Sequence, residues 1–461
     1  MEKLKIADII TATQGNLVSG FPESLIHGIT IDSRRVNPGD LFIAIKGKRV
    51  DGHQFIAEAL KNGAAAVMVD DLSRLAEISK VAVIQVPDTK QALLNFARWY
   101  RLRLNARVVA ITGSNGKTTT KEMLAQLLDG KYRVVKAKAS FNNDIGVPLT
   151  VLEMNQSTQV GIFEIEMNEL GGTARLARVC LPEIAIVTNV GDTHLEFMKD
   201  RTGVAQEKFE LIESLPAHGV AILNYDDPLV MKMKRPGIRT ITFGLNQQAD
   251  VFATQINEHG IAKLEFKLFG KYAVRLSIPG KHNLYNFLAA AAAAYEIGLH
   301  WEEIIHLENR VCLPPQRLGI QKIGSVVLID DCFNANPQSM AAALEVLKNI
   351  APKENRVAIL GDMLELGEYA QDLHRALGKN VAQVVDRLVV VGWLAQFIAE
   401  GARAAGLTPA RLRYYPNSQS IGDDLFDIFK PGDTILIKGS RAMSMENIIL
   451  KIVRYYGGET H

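Results

Sequence analysis

The chain has 461 residues, enough for about three domains of the usual 100–200 residues. Its 52 Lys and Arg residues nearly balance 50 Asp and Glu residues, and the formal net charge of +2 gives no global field for nucleic acid or an anionic membrane. Three widely spaced cysteines exclude a disulfide framework and favour a reducing compartment. Because the sequence shows neither a signal-peptide core nor an apolar run near the roughly 20 residues of a membrane span, we expect a cytoplasmic protein without a span.

The first segment, residues 1–84, predicts a small α/β domain. Short apolar runs between turn residues indicate strands, and one helix is ended by Asn62-Gly63. In chain order, the predicted elements are strands at 28–31 and 41–45, a helix at 52–61, a strand at 64–69 and a helix at 91–101 that leads into the next segment. We therefore place a domain boundary at 84/85.

A glycine-containing loop lies between a buried strand predicted at 107–112 and a helix predicted at 121–128. It reads Thr112-Gly113-Ser114-Asn115-Gly116-Lys117-Thr118-Thr119. A helix N-terminus favours anions, Lys117 can reach the β- and γ-phosphates of a nucleotide, and the Thr118 hydroxyl can hold Mg²⁺. Because Ile111 stands where the common P-loop has its first glycine, only the second half of that motif is present. This segment, called the phosphate loop below, predicts nucleotide binding.

Residues 85–312 repeat strands and helices and predict a central domain with a mostly parallel sheet. Glu164 falls near the carboxyl end of a strand predicted at 161–165, where a carboxylate is costly unless it is paired or bound to a metal. Beside a phosphate loop, nucleotide-bound Mg²⁺ is such a partner. His194, on the loop after the next strand, is then a second candidate metal ligand.

Lys208 lies on the apolar stripe of a helix predicted at 203–215, four residues from both Val204 and Ile212. An inward-facing lysine either extends its ammonium to water or is desolvated. Desolvation favours the neutral amine, which is the form that can react with CO₂. The pattern alone leaves both possibilities open.

Tandem prolines at Pro314-Pro315 indicate a second boundary, at 312/313. Residues 313–461 again alternate strands and helices and predict a doubly wound, Rossmann-like sheet, whose ligands bind beyond the carboxyl ends of its strands. Polar loops follow those strands, namely Asp330-Asp331, Gly361-Asp362 and Lys438-Gly439-Ser440-Arg441. The fold class is therefore α/β, with three domains.

These residues together resemble the Mur ligase family, the ATP-dependent amide-forming enzymes of peptidoglycan precursor synthesis. The resemblance covers about residues 28–450. The motifs that carry it are Ile31-Asp32-Ser33-Arg34, Pro38-Gly39-Asp40-Leu41-Phe42, the phosphate loop, Glu164, Asn189 with His194, Gly280-Lys281-His282-Asn283-Leu284-Tyr285-Asn286, Asp330 to Met340, Leu360 to Gly367, and Lys438 to Arg441. The segment from Asp331 to Met340 is the most specific, and it is similar to the branch that adds D-alanyl-D-alanine to UDP-N-acetylmuramoyl-tripeptide. Its Asn336-Pro337 pair also fits a simple helix start, but that explains neither Asp331 nor Asn334.

The resemblance implies a small UDP-sugar-binding domain, a central ATP-binding domain and a C-terminal dipeptide-binding domain, in a monomer that uses ATP and Mg²⁺ and binds no nucleic acid. The residues implied for the nucleotide are Gly113, Ser114, Asn115, Gly116, Lys117, Thr118, Thr119, His282, Asn283 and Asn286. Those implied for the metal are Thr118, Glu164, His194 and Lys208, the last in carbamylated form. Those implied for catalysis are Lys117, His194, Lys208 and Arg317. Those implied for the substrates are Ser33, Arg34, Asn142, Asn143, Asp331, Asn334, Asn336, Lys438, Ser440 and Arg441.

Three residues depart from the family's usual pattern, with Phe333 in place of tyrosine, Ser140 in place of asparagine and Glu166 in place of glycine. The reaction implied is activation of the tripeptide carboxylate by ATP as an acyl phosphate, followed by attack of the dipeptide amine. Two alternatives remain at the level of sequence. One is another Mur-type ligase, such as a folylpolyglutamate or cyanophycin synthetase, and the other is a P-loop ATPase that acts as a switch or motor.

Overall fold

The computed structural model describes residues 1–47, 50–75, 81–260, 263–307 and 310–457. Within these ranges the strands form three larger sheets, one after another along the chain, and a short ladder between β1 (Leu4–Lys5) and β3 (Leu25–Ile26). Parallel pairs predominate in the larger sheets, and helices follow most strands. The α/β fold class predicted from the sequence is thereby confirmed.

The first sheet lies in the N-terminal segment, with strand order β2-β7-β6-β5-β4. Its remaining elements are α1 (Ile6–Thr13), β2 (Asn16–Ser19), β4 (Gly28–Thr30), β5 (Asp40–Ile43), α2 (Ile56–Lys61), β6 (Ala66–Val69) and β7 (Ala82–Gln85). Strands β4 to β7 are parallel, and β2 pairs antiparallel at the edge. The helix predicted at 52–61 is α-helical only over α2, because Gly52–Phe55 form a 3₁₀ turn. Helix α1 was not predicted.

The central sheet has the strand order β16-β15-β14-β13-β12-β11-β8-β10-β9. Its elements are α3 (Thr89–Arg101), β8 (Arg107–Thr112), α4 (Lys117–Leu128), β9 (Val134–Lys136), α5 (Gly146–Glu153), β10 (Val160–Glu164), α6 (Gly172–Cys180), β11 (Ile184–Val187), α7 (Leu195–Met198), α8 (Arg201–Glu213), β12 (Val220–Asn224), α9 (Pro228–Met231), β13 (Arg239–Gly244), β14 (Val251–His259), β15 (Lys263–Leu268), β16 (Tyr272–Leu276), α10 (Lys281–Ile297) and α11 (Trp301–His306). Strands β8 to β14 pair in parallel, and β14, β15 and β16 pair antiparallel.

Strand β8 lies inside the parallel part of this sheet, between β10 and β11. Its residues Val108 to Ile111 are fully buried, as expected for a parallel strand covered on both faces. Helix α4 packs against α10, whose alanines from Ala289 to Ala294 are buried and allow close helix contact. The core therefore fixes the start of α4, and with it the phosphate loop, relative to the carboxyl edge of the sheet.

The third sheet has the strand order β17-β18-β22-β19-β20-β21, with β17 antiparallel at one edge. Its elements are β17 (Gly319–Ile323), β18 (Val326–Asp331), α12 (Pro337–Ile350), β19 (Arg356–Gly361), α13 (Ala370–Val384), β20 (Arg387–Val391), α14 (Ala395–Ala404), β21 (Leu412–Tyr415), β22 (Thr434–Lys438) and α15 (Glu446–Gly457). Helices α12, α13 and α14 pack on one face of this open sheet and α15 packs on the other, as a doubly wound sheet requires. In chain order the parallel strands are arranged first, fifth, second, third, fourth, which differs from the two common doubly wound orders. Strands β18 and β22 are neighbours, so Asp331 and Lys438 end side by side.

None of the helices in the described ranges combines the length and the apolar character that crossing a membrane requires.

Candidate active site

The phosphate loop has a backbone that only glycine allows at two positions. Gly113 has φ +143°, and a Cβ there would lie 1.9 Å from Thr188 Oγ1. Gly116 has φ +85°, and a Cβ there would lie 2.1 Å from Asn286 Oδ1. The tight turn ends at Gly116, so α4 begins at Lys117 rather than at residue 121 as predicted. Its first-turn N–H groups thereby face the space above the sheet.

Lys117 is buried at the start of α4, and its ammonium is held between a carbonyl and a carboxylate. Its Nζ donates to the Gly113 carbonyl at 2.6 Å and to Glu166 Oε1 at 2.7 Å. Burial alone would raise the pKa of Glu166, but the charges of Lys117 and His194 hold that pKa well below its usual range. Glu166 is therefore an anion that neutralises the lysine expected to meet phosphate.

Glu164 ends β10 next to the phosphate loop, where its two oxygens accept hydrogen bonds. Thr118 Oγ1 donates to Glu164 Oε2 at 2.8 Å, and Asn142 Nδ2 donates to Glu164 Oε1 at 2.9 Å. Asn142 Nδ2 also lies 3.1 Å from Glu166 Oε2. The structure therefore brings Thr118, Glu164 and Asn142 together at the end of β10.

These donors fit a hard divalent cation that is shared with a nucleotide. Carboxylate and hydroxyl oxygens are the ligands that Mg²⁺ prefers, and Mg²⁺ in nucleotide sites takes one or two carboxylates together with phosphate oxygens and water. Within the described ranges, no group of three or more His, Cys, Asp or Glu side chains is arranged to hold a metal without further ligands. The donor set thus suits a cation that arrives with the phosphates.

His194 lies between two carboxylates from different parts of the chain. Its Nε2 is 3.3 Å from Glu166 Oε1, and its Nδ1 is 2.5 Å from Glu365 Oε2. Burial lowers the pKa of the imidazole, but the hydrogen bonds to Glu166 and Glu365 outweigh that effect and raise the pKa to about 9. The ring is therefore cationic at neutral pH when no metal is bound.

Lys208 is buried within α8, which confirms that it faces inward. Its Nζ is 3.1 Å from Glu207 Oε2, and the Glu207 side chain also accepts a hydrogen bond from Thr173 Oγ1. Two cavities lie beside the phosphate loop, and Lys208 is not among the described residues that line them. The ammonium thus does not extend to water, which removes the first of the two possibilities left open by the sequence. The ion pair with Glu207 accounts for its burial.

A cavity of about 370 Å³ opens on one side of the phosphate loop. It is lined in part by Asn115, Gly116, Thr119, Asn189, Asn224, Asp227, His282, Asn283, Tyr285, Asn286, Arg317, Asp331 and Lys438. Burial lowers the pKa of His282 to about 4, so this imidazole is neutral. Asn286 Nδ2 donates to Asn283 Oδ1 at 3.0 Å, which aligns the two amides along α10. The volume and the mixed lining suit a small organic molecule.

A second cavity, of about 40 Å³, lies on the other side of the loop and includes residues of the third sheet. The guanidinium of Arg317 stacks on the Phe333 ring at 4.0 Å, and one of its terminal nitrogens is 3.5 Å from Thr118 Oγ1. Its Nε is buried without a hydrogen-bond partner among the described residues. Asn336 Nδ2 donates to Asn115 Oδ1 at 2.7 Å. The C-terminal segment thus contacts the phosphate loop directly.

The end of β18 carries a buried ion pair. Lys438 Nζ is 2.6 Å from Asp331 Oδ2 and 2.8 Å from the Asn334 carbonyl. Ser440 Oγ accepts a hydrogen bond from Leu364 N at 2.9 Å, whereas Arg441 is exposed and lies 3.1 Å from Glu446 Oε1. The polar loops predicted at this edge of the third sheet therefore do converge.

Within the described part of the chain, six of the predicted substrate residues do not line either cavity, namely Ser33, Arg34, Asn142, Asn143, Ser440 and Arg441. Ser33 Oγ donates to Glu58 Oε2 at 2.5 Å, and the exposed Arg34 pairs with Asp32, both within the first sheet's segment. Asn143 accepts from the N–H groups of Ile145 and Gly146, which shapes the turn into α5.

Several residues of the site were not singled out from the sequence. Asn224 ends β12, Asp227 follows that strand, and both line the large cavity. Gln338 joins the third sheet's segment to Asp192 at 2.7 Å. Glu365 contacts His194 although 171 positions separate the two. The position of Asn224 and Asp227 at the carboxyl end of a parallel strand was a usable signal, but no local pattern pairs Glu365 with His194.

The fold and site define an α/β nucleotide-binding enzyme in which a doubly wound unit faces the phosphate loop of a neighbouring sheet. Three family models match the chain, described as the Mur ligase family catalytic domain (residues 25–101), the Mur ligase middle domain (111–294) and the Mur ligase glutamate ligase domain (316–441).

Similar proteins match over nearly the whole length. UDP-N-acetylmuramoyl-tripeptide–D-alanyl-D-alanine ligase of Bacillus subtilis is 34% identical, and the match covers 98% of this chain and 99% of that protein. A crystal structure of MurF from Acinetobacter baumannii has a TM-score of 0.88 and 30% identity, with 98% and 99% of the two chains covered. MurF ligase of Thermotoga maritima in complex with ADP has a TM-score of 0.81 and 28% identity, covering 93% and 97%. The chain belongs to the Mur ligase family.

The raised pKa of His194 predicts a pH dependence in protein free of metal and nucleotide. Because the pKa in the folded state, about 9, lies above the ordinary 6.5, the protonated imidazole stabilises the fold fully below about pH 6.5, and this contribution is lost as the pH rises through about 9. NMR titration of the His194 ring is expected to give a midpoint near 9, and Glu166→Gln to lower it. A midpoint near 6.5 in the unmodified protein would contradict the two-carboxylate geometry.

Proposed function

We propose that this protein is an ATP-dependent ligase that joins D-alanyl-D-alanine to UDP-N-acetylmuramoyl-tripeptide in peptidoglycan precursor synthesis. The observation that carries the proposal is that the phosphate loop and the segment Asn334 to Asn336 of the third sheet line one cavity. When two reactants are bound on facing walls of one cavity, their translational and rotational entropy is lost on binding, and little further loss is needed for the reaction. The full-length similarity to ligases of this name supports the same reaction.

ATP is proposed to bind with its phosphates on Gly113 to Thr119 and its nucleoside in the large cavity beside His282, Asn283 and Asn286. The neutral imidazole and the aligned amides of α10 suit an uncharged nucleoside. The Thermotoga relative, solved in complex with ADP, supports adenine nucleotide binding by this chain. To meet a terminal phosphate, Lys117 has to exchange its ion pair with Glu166 for phosphate oxygens.

Thr118, Glu164 and His194 are proposed to hold Mg²⁺, together with a carbamylated Lys208. The bound cation would supply neutralisation of phosphate charge. Carbamylation joins the neutral amine of Lys208 to CO₂ and releases a proton, which turns a buried cation into an anionic oxygen donor. Because it ends the ion pair with Glu207, we propose that the modification accompanies metal binding.

The remaining predicted residues are proposed to bind the two other substrates. Ser33 and Arg34 contact the uridine diphosphate, Asn142 and Asn143 the muramoyl side, and Asp331, Asn334, Asn336, Lys438, Ser440 and Arg441 the dipeptide. This assignment accompanies the proposed division into domains 1–84, 85–312 and 313–461, in a monomeric cytoplasmic protein.

In the proposed reaction, an oxygen of the tripeptide carboxylate attacks the γ-phosphorus of ATP, ADP leaves, and an acyl phosphate forms. The dipeptide amine then attacks the acyl carbon, phosphate leaves with the attacking oxygen, and the amine loses a proton. The first step brings two anions together. Lys117 and Arg317, both beside Thr118, offset that repulsion.

The substrate assay separates this proposal from its alternatives. ATP, UDP-N-acetylmuramoyl-tripeptide and D-alanyl-D-alanine together are expected to release phosphate, and omission of any one to stop it. Lys117→Met should lower kcat/KM by on the order of 10²-fold or more, because the lysine stabilises charge that develops in the transition state. Phosphate release only with a folate and glutamate would favour a folylpolyglutamate synthetase, and release with ATP alone would favour a switch or motor.

The carbamate at Lys208 has its own test. Lys208→Ala is expected to lose activity and to regain part of it with added short carboxylates, which can replace the missing anion. Because this change also leaves Glu207 buried without its partner, a cost of about 3–5 kcal/mol, the double variant Glu207→Gln with Lys208→Met serves as a folding control. With labelled bicarbonate, a ¹³C carbamate signal should appear only in the protein that retains Lys208. Full activity of Lys208→Ala would remove the hypothesis.

A further inference from the structure

Glu365 approaches the site from the third sheet, although nothing in the proposed reaction yet gives it a role. It lies between β19 and α13, on the segment that follows Asp362. Its backbone adopts φ +62°, a left-handed conformation that is uncommon for residues other than glycine. Contacts with the central sheet's segment hold this conformation in place.

Two of those contacts join Glu365 to neighbouring residues of the central segment. The carboxylate Oε2 accepts from His194 Nδ1 at 2.5 Å, and the Glu365 carbonyl accepts from the Glu196 N–H at 3.2 Å. Gly367, two residues further, is packed so closely that a Cβ would lie 3.1 Å from Glu196 Cα. Both the side chain and the backbone of this segment are thus fitted to the turn that carries His194.

The contact at Nδ1 fixes where the opposite nitrogen of the imidazole points. His194 Nε2 faces Glu166 Oε1 at 3.3 Å, on the side of Lys117 and the phosphate loop. A carboxylate on the far nitrogen of a metal-binding histidine fixes both its tautomer and its ring direction. Glu365 has this relation to His194, and it comes from a different sheet.

We propose that Glu365 is a positioning residue that orients His194 Nε2 for the divalent cation. This inference rests on the proposed role of His194 as a metal ligand. It adds that the ligand set is complete only while the third sheet's segment is docked against the central one. Metal binding and docking of the two segments therefore favour each other.

The experiment uses Mn²⁺ as a spectroscopic probe, with the full-length protein and a non-hydrolysable ATP analogue. Free Mn²⁺ is titrated by EPR, and the ¹⁴N modulation in pulsed EPR reports imidazole bound to the ion. Glu365→Ala is expected to weaken the His194-dependent Mn²⁺ binding by on the order of tenfold or more and to reduce the ¹⁴N modulation. Glu365→Gln keeps an acceptor for Nδ1–H and should largely restore both.

Two further variants make the outcome decisive. Glu368→Ala changes an exposed carboxylate on the same segment and should leave Mn²⁺ binding as it is. In a His194→Ala background, Glu365→Ala should have no additional effect. If it weakens Mn²⁺ binding equally in both backgrounds, or not at all when His194 is present, the positioning role is wrong. If His194→Ala itself retains all Mn²⁺ binding, the metal role of His194 in the proposed function fails as well.

Discussion

The site depends on the contact between the ammonium of Lys117 and an anion. The backbone of the phosphate loop, fixed by Gly113 and Gly116, places this cation at the positive end of α4, where it is buried. A buried cation without a counter-charge is costly, and here Glu166 supplies that charge. With Glu166 beside Lys117, this chain carries its own substitute for a phosphate oxygen. When a nucleotide binds, a phosphate oxygen replaces the Glu166 carboxylate beside Lys117. The lysine therefore keeps a counter-charge in both states and loses little solvation on nucleotide binding.

The third sheet's segment contacts the phosphate loop and the neighbouring turn that carries His194. Asn336 binds Asn115, Arg317 reaches Thr118, and Glu365 binds His194. Each of these contacts ends on a residue proposed to touch nucleotide or metal. Docking of the segment thus brings together residues proposed for nucleotide and metal, which suits a reaction whose acyl phosphate has to be shielded from water.

Local sequence predicted the parts of the site that a single strand-turn-helix unit creates. The phosphate loop, the position of Glu164 at a strand end and the inward direction of Lys208 all follow from spacing within a few residues. The fold class followed from the alternation of strands and helices, although α1 was missed and α4 begins four residues before the predicted helix.

Contacts between distant segments could not be predicted in this way. The partners His194 and Glu365 are 171 positions apart, and Asn115 and Asn336 are 221 apart, so no periodicity joins them. The ion pair of Lys117 with Glu166 depends on the pairing of β8 with β10, which the sequence does not state. Glu207, which pairs with Lys208, is adjacent in the sequence. Helix periodicity did not predict this pair, because it relates side chains three or four residues apart.

We propose that the phosphate loop holds ATP so that its γ-phosphate activates a carboxylate, rather than being hydrolysed by water. Transfer of isotopic oxygen tests this directly. UDP-N-acetylmuramoyl-tripeptide labelled with ¹⁸O in the reacting carboxylate is incubated with ATP and D-alanyl-D-alanine, and the phosphate released is examined by mass spectrometry. We expect one ¹⁸O atom in each phosphate, because the attacking carboxylate oxygen leaves with the phosphorus. Unlabelled phosphate, whose new oxygen comes from water, would contradict this proposal.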